Sequence, residues 1–238
     1  MRIGIVFPEQ THDVSALAGT WNLLNLGDQN GVGGLATVVA GDLSFDASGR
    51  MTSGTYCGDL KTCEPEAPDA RQTLVANAQG GFDFDGGRVF AYRTGGGELM
   101  IVGISPDGAM ALGTRKVARS LPTVGDVSRS LNYTLARDFT APSAVNDSEN
   151  TIASLAADGL SFMRTSVINF ATGATRPETV QINVPLDGFA RRVPETVTTS
   201  TGATQNVSEW IALTLRGTGI TPVAFPATQQ LVLSVVKP

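Results

Sequence analysis

The chain is short of charge, lysine, histidine and long apolar runs, and each shortage excludes a class of function. Charged residues make up 16% of its 238 residues, well under the ~25% usual for soluble domains. The net charge is −5, and lysine occurs only at Lys61, Lys116 and Lys237. A nucleic-acid surface needs a clustered basic face, and no basic stripe is present. His12 is the single histidine and precedes the first expected strand, so neither an imidazole-rich metal centre nor a serine–histidine triad is expected. The two cysteines, in Cys57-Gly-Asp-Leu-Lys-Thr-Cys63, are too few for zinc and lack C-x-x-C spacing. They read as a disulfide at the end of a hairpin, which implies an oxidising compartment. No run approaches the 18 or so apolar residues of a membrane helix. Residues 1–8 are too short for the apolar region of a signal peptide, so an exported chain is expected to have lost its leader before this point. No catalytic residue, metal ligand or cofactor is expected.

Strand-length apolar or alternating runs punctuated by turns are abundant instead, with 27 glycines and 12 prolines. The turns include Asp46-Ala-Ser-Gly49, Asp85-Gly-Gly87, Thr94-Gly-Gly-Gly97, Ser105-Pro-Asp-Gly108, Asp158-Gly159 and Ser200-Thr-Gly202, each able to supply a positive φ or close a type I turn. Strands are expected near 19–26, 35–45, 50–57, 71–77, 81–85, 88–93, 98–104 and 109–115. A second set is expected near 129–136, 150–156, 159–170, 178–184, 188–200, 206–216 and 229–236. The fold class is therefore all-β: an antiparallel up-and-down eight-stranded barrel, whose closure removes exposed edges, followed by a second β-rich barrel or sandwich unit. The boundaries are an N-terminal extension over 1–16, the barrel over 17–116, a linker over 117–128 and the second unit over 129–238. Asp158-Gly-Leu-Ser-Phe162 echoes Asp42-Leu-Ser-Phe45, as a degenerate repeat of one barrel unit would.

Leu17-Ala-Gly-Thr-Trp-Asn22, with Asp42 to Phe45 and the hairpin closing in Gly54-Thr-Tyr56, resembles the opening of a calycin barrel of the lipocalin and avidin type. The resemblance covers residues 17–116. It implies that Trp21 plugs the closed end of the barrel and that Arg115, from Leu112-Gly-Thr-Arg115, packs on it. Avidin's ligand tyrosine would correspond to Tyr56. With Trp21 and Trp210 the only tryptophans, avidin's tryptophan-lined pocket has no counterpart, and biotin is not an expected ligand.

The expected function is that of an exported, bacterial-type, non-enzymatic barrel protein holding a small apolar ligand or docking an envelope partner. Tyr56, Phe82, Phe84, Phe90 and Tyr92 are the candidate ligand-binding residues, and Trp21, Arg115, Cys57 and Cys63 the structural ones. The alternatives are a surface or adhesion-type β protein without a pocket and a carboxylate-dependent glycoside hydrolase. For the hydrolase, Asp83 and Asp85 would face one side of a strand about 6.5–7 Å apart. Asn146-Asp-Ser-Glu-Asn150 reads as a solvated loop rich in oxygen ligands. Arg191-Arg192, and Arg88 with Arg93, are the densest basic spots, with snorkelling over apolar neighbours their ordinary role.

Overall fold

The computed structural model describes residues 12–27, 37–58, 62–69, 71–106, 109–135, 144–228 and 230–237. The expectations for residues 1–11 and for Asp107 and Gly108 fall outside them. A 3-10 turn, Val14–Leu17, leads into β1 (Gly19–Gly27), β2 (Thr37–Phe45), β3 (Met51–Cys57), β4 (Glu64–Glu66), β5 (Val75–Ala76), β6 (Phe82–Phe84), β7 (Gly87–Arg93), β8 (Leu99–Ile104) and β9 (Met110–Arg115). These pair antiparallel in the order β4-β3-β2-β1-β9-β8-β7-β6-β5. The sheet curls until its ends meet, where Arg50 bridges Thr73. The Met51 N–H donates to the Gln72 carbonyl at 2.8 Å, and the Leu74 N–H to the Gly49 carbonyl at 2.9 Å. Alternation sends Trp21, Phe45, Met51, Phe82, Leu99 and Ile101 to the concave side, where they form one buried cluster. Phe45 and Phe84 meet edge to face at 5.4 Å.

The second unit comprises β10 (Val127–Leu135), β11 (Ala144–Leu155), β12 (Ser161–Asn169), β13 (Ala174–Ile182), β14 (Phe189–Arg192), β15 (Glu195–Thr198), β16 (Thr204–Val207), β17 (Trp210–Leu213), β18 (Ile220–Phe225) and β19 (Gln230–Val236). Eight of them close a ring in the order β10-β11-β12-β13-β14-β17-β18-β19, while β15 and β16 form a separate hairpin. The all-β class, with one closed eight-stranded barrel and a further β unit, is as expected. The ring closed by ladders throughout is the second unit in the chain, whereas the first is a nine-stranded curled sheet joined by a bridge. The added strand, β4, is three residues long and exposed.

Differences in strand limits have local causes. Pro194 separates β14 from β15, so the expected strand 188–200 becomes two. The strand β18 is an addition to the expected set; its Pro222 lies beyond the β17–β18 ladder of Ile211–Ala224 and Ala212–Val223, where the missing N–H removes no bond on that side. The expected loop Asn146–Asn150 is the middle of β11, paired from Ala144 with β10. The expected linker is shorter at its end, since Val127 and Ser128 already pair with Thr151 and Asn150. Asp158–Phe162 does not repeat Asp42–Phe45 strand for strand, because the first motif ends the second strand of its unit and the other opens the third strand of the ring.

The two units share a core. Outward residues of the curled sheet (Leu24, Ala40, Met100) pack with outward residues of the barrel (Phe189, Leu213, Leu231) in one buried cluster. Each fully buried leucine, methionine or phenylalanine among them contributes about 1.5–3 kcal/mol. Polar bonds also cross the seam: Asn22 Nδ2 donates to the Asp187 carbonyl at 2.6 Å, and Arg216 pairs with Glu98 at 3.3 Å. The connector is held as well. The Arg119 N–H donates to Asn183 Oδ1 at 2.7 Å, and Asn183 Nδ2 donates back to the Arg119 carbonyl at 3.0 Å.

Candidate ligand-binding lumen

Trp21 lies at the end of the curled sheet marked by the 3-10 turn and is fully buried. Its indole Nε1 donates to the Leu17 carbonyl at 2.7 Å. Trp21 and Arg115 are direct partners across β1 and β9, and the guanidinium lies 4.1 Å from the ring centroid. Arg115 also caps the turn, donating to the Ala16 carbonyl at 2.6 Å and to the Ala18 carbonyl. Burial lowers the pKa of Arg115, and Glu98 partly restores it. Gly19 has φ +110°, and a Cβ there would lie 2.8 Å from Arg115 Nη1. No other residue type fits that position without strain.

With the Trp21 end packed, a hollow of about 230 Å³ opens toward the opposite mouth of the curled sheet, lined by Leu23, Leu43, Phe84, Val89 and Ile101 among others. Of the five candidate ligand residues, the structure brings Phe84 alone to this hollow. Phe82 is packed in the concave core. Phe90 faces outward beneath Arg88, 5.3 Å from its ring, and Tyr92 faces outward onto the shared core, where burial raises its phenol pKa. Tyr56 is 43% exposed. Cys57 and Cys63 form the expected disulfide, with Cys57 buried in the shared core. Asp83 and Asp85 do not share a strand face. Asp83 accepts two bonds from Asn77 Nδ2 and pairs with Arg88 at 3.4 Å, while Asp85 sits in the β6–β7 turn with φ 46°. The chemistry these carboxylates were expected to share has no common cleft.

The larger space is inside the closed barrel, a lumen of about 440 Å³. Its centre of charge is Glu178 on β13, which is 1% exposed. Arg164 of β12, directly opposite in register, donates from Nε and Nη2 to Oε2 at 3.0 and 2.7 Å. Arg176 donates to Oε1 at 3.0 and 2.7 Å, and Arg192 to the same oxygen at 2.8 Å. Burial alone pushes the Glu178 carboxyl up, but Arg164, Arg192 and Arg176 outweigh it and hold the pKa down at about 2. Burial lowers Arg192 to about 10 against the pull of Glu178, which leaves it protonated at neutral pH. Arg164 and Arg192 also stack over Trp210 at 5.3 and 5.8 Å.

Four residues along from Trp210, Thr214 accepts from Arg119 Nη1 at 3.1 Å and exchanges a bond with Thr221 at 3.1 Å. The next lumen positions in register are Ser234, which donates to Ser130 at 2.9 Å, and Ser148, which pairs with Ser130 at 2.7 Å. A belt of hydroxyls thus runs from Arg119 across β18, β19, β10 and β11. Burial lowers the pKa of Arg119, and no carboxylate pairs with it among the described residues.

Sequence reasoning missed most of this lumen. Arg192 was flagged only beside Arg191, yet adjacent strand residues diverge. Arg191 bonds outward to Glu209 and Arg192 inward to Glu178. The readable signal was in Asn146-Asp-Ser-Glu-Asn150, where amide and hydroxyl residues alternate with acids at strand period. Arg119 lay within the expected linker and carried no signal.

These features define an all-β protein with a closed eight-stranded barrel seated on a curled sheet, the barrel enclosing a polar, arginine-lined chamber. No protein-family model matches the chain, and no curated protein matches it. A solved structure from Nostoc punctiforme, a protein of unknown function from the DUF3598 family, is 11% identical over 95% of this chain and 98% of that one, with a TM-score of 0.29. A likeness that low carries no inference about this chain.

Proposed function

We propose that the protein is an exported, non-enzymatic binding protein of calycin type that carries one small molecule in the lumen of its closed barrel. The observation that carries this reading is the lumen volume of about 440 Å³, within the range of small-molecule pockets and of eight-stranded barrels that hold one ligand. The Trp21–Arg115 stack supports the calycin kinship. The Cys57–Cys63 bond supports an oxidising compartment. The non-enzymatic reading rests on Glu178, the one carboxylate on the lumen wall among the described residues: with its pKa near 2, it is a poor proton donor or acceptor at neutral pH.

A second reading keeps an apolar ligand in the first unit. The mouth lined by Leu23, Leu43, Phe84 and Ile101 favours it, but at about 230 Å³ the space falls below the usual ligand range.

Titration calorimetry against a chemically mixed panel of small metabolites separates the two. Ala212, on the lumen wall between Ala190 and the β18 strand, can be replaced by tryptophan to fill the chamber. The expected result is a 1:1 ligand whose binding is abolished by Ala212→Trp. Binding unaffected by Ala212→Trp and abolished by Gly103→Leu at the first unit's mouth supports the second reading. A panel with no ligand at all contradicts both.

A further inference from the structure

The lumen has an uneven charge account. Among the described residues, Arg119, Arg164, Arg176 and Arg192 line it against the single carboxylate of Glu178, a surplus of three positive charges (four minus one), inside a chain whose net charge is −5. Arg129, on the outward face of β10 at the chamber's edge, is exposed and paired with Glu149 at 2.7 Å. Charges held away from bulk water are costly unless paired, and one carboxylate cannot neutralise four guanidiniums. Arg164 and Arg176 spend Nε and Nη2 on Glu178, and neither Nη1 donates a bond among the described residues.

The surplus lies at two poles. The Glu178 cluster is at the Trp210 end of β17, and Arg119 is bonded at Thr214, four residues further and roughly 13 Å along the strand direction. Arg119 is the pole without an acid. Among the described residues its guanidinium bonds to a hydroxyl alone, and it opens the hydroxyl belt formed by Thr214, Thr221, Ser234, Ser130 and Ser148. Each hydroxyl carries one donor and two acceptor sites, so the belt retains capacity for further bonds. Further along the same strands, β17 and β18, Trp210, Val223 and Phe225 offer an apolar wall.

We propose that the lumen binds a small hydroxylated carboxylic acid of the sugar-acid class, with its carboxylate on Arg119 and its hydroxyls along the Thr221–Ser234–Ser130–Ser148 belt. A guanidinium gives a carboxylate two parallel donors, and the belt supplies the alternating donors and acceptors that a polyol requires. The apolar wall covers the carbon skeleton. This inference rests on the reading of the closed barrel as a ligand chamber.

The experiment is calorimetric titration of the full, disulfide-bonded protein with sodium D-glucuronate, D-glucose and sodium octanoate, repeated with Arg119→Gln and Ser130→Val. Glucuronate is expected to bind 1:1, with at least a tenfold loss of affinity in Arg119→Gln and a smaller loss in Ser130→Val. Arg119→Gln removes an uncompensated charge and keeps the backbone bonds to Asn183, so its melting temperature is expected to stay level or rise. A fall would mark Arg119 as a structural strut and overturn the assignment. Glucose binding as tightly as glucuronate overturns the carboxylate, and octanoate binding in preference overturns the hydroxyl belt. If none of the three binds while the mixed panel yields a lumen ligand, the sugar-acid inference fails and the chamber stands. If the panel also yields nothing, the chamber fails with it.

Discussion

At the scale of single residues, two arginine arrangements do different work. Trp21 is a core side chain fixed by a hydrogen bond and a stacked cation, so Trp21→Ala is expected to cost about 3–5 kcal/mol. Against a typical total of roughly 5–15 kcal/mol that is close to unfolding. Arg115→Ala loses a stack and its bonds to the Ala16, Leu17 and Ala18 carbonyls without opening a core cavity, and is expected to cost less. Denaturant melts of the two variants check the order, and equal costs near 1 kcal/mol would mean that Trp21 is an ordinary half-buried strand residue. Glu178 makes a pH prediction. Its folded pKa of about 2 lies below the ordinary 4.5, so the folded state binds the proton more weakly than the unfolded chain. The stabilisation is complete above about pH 5 and is lost as pH falls from there toward 2. The shift corresponds to roughly 3 kcal/mol. Glu178→Gln should flatten that acid limb and destabilise the protein at neutral pH, because three guanidiniums lose their counter-charge. Stability measured by urea melts between pH 3 and 7 checks both parts.

At the scale of elements, the first half was legible and the second only in part. In the first unit, period-2 alternation, Gly-rich turns and Gly19-Thr-Trp21 all point the same way, and eight of its nine strands lie where the sequence places them. The tryptophan–arginine pair was legible because a local motif and a register position specify it. The lumen was not, for a physical reason. Strands β10 to β12 are polar on both faces, Ser130 and Asn150 inward and Arg129 and Glu149 outward, so no apolar alternation marks them. On β14 and β17 to β19, Phe189 and the larger aliphatic side chains face out. Phe189, Ile211, Leu213 and Leu231 are buried against the first unit, and a sequence cannot show that an outer face will be covered. This shared face predicts coupling. Phe189→Ala should cost about 3–5 kcal/mol and lower amide-exchange protection in β1 and β2 as well as in β14 and β17. Loss confined to the barrel would mean that the two units stand independently.

At the scale of the molecule, the curled sheet acts as a platform. It buries the outer wall formed by β14 and β17 to β19, so the barrel's closed ring can reserve its interior for arginines, hydroxyls and an apolar strip around Trp210. The consequence is an acidic protein with a positively charged interior, and an anion entering the lumen gains from a field that water screens little. Cys57 and Cys63 are joined, so Ala212→Cys would place the only free thiol on the lumen wall. Its reaction rates with a negatively charged and a positively charged methanethiosulfonate of similar size, each divided by the rate with free cysteine, read out both the opening and the sign of the chamber. An open, cationic lumen predicts reaction in the folded protein, with the negative reagent favoured several-fold and the preference shrinking in Arg119→Gln. A thiol that reacts with neither reagent until the protein unfolds, or one that prefers the positive reagent, would contradict it.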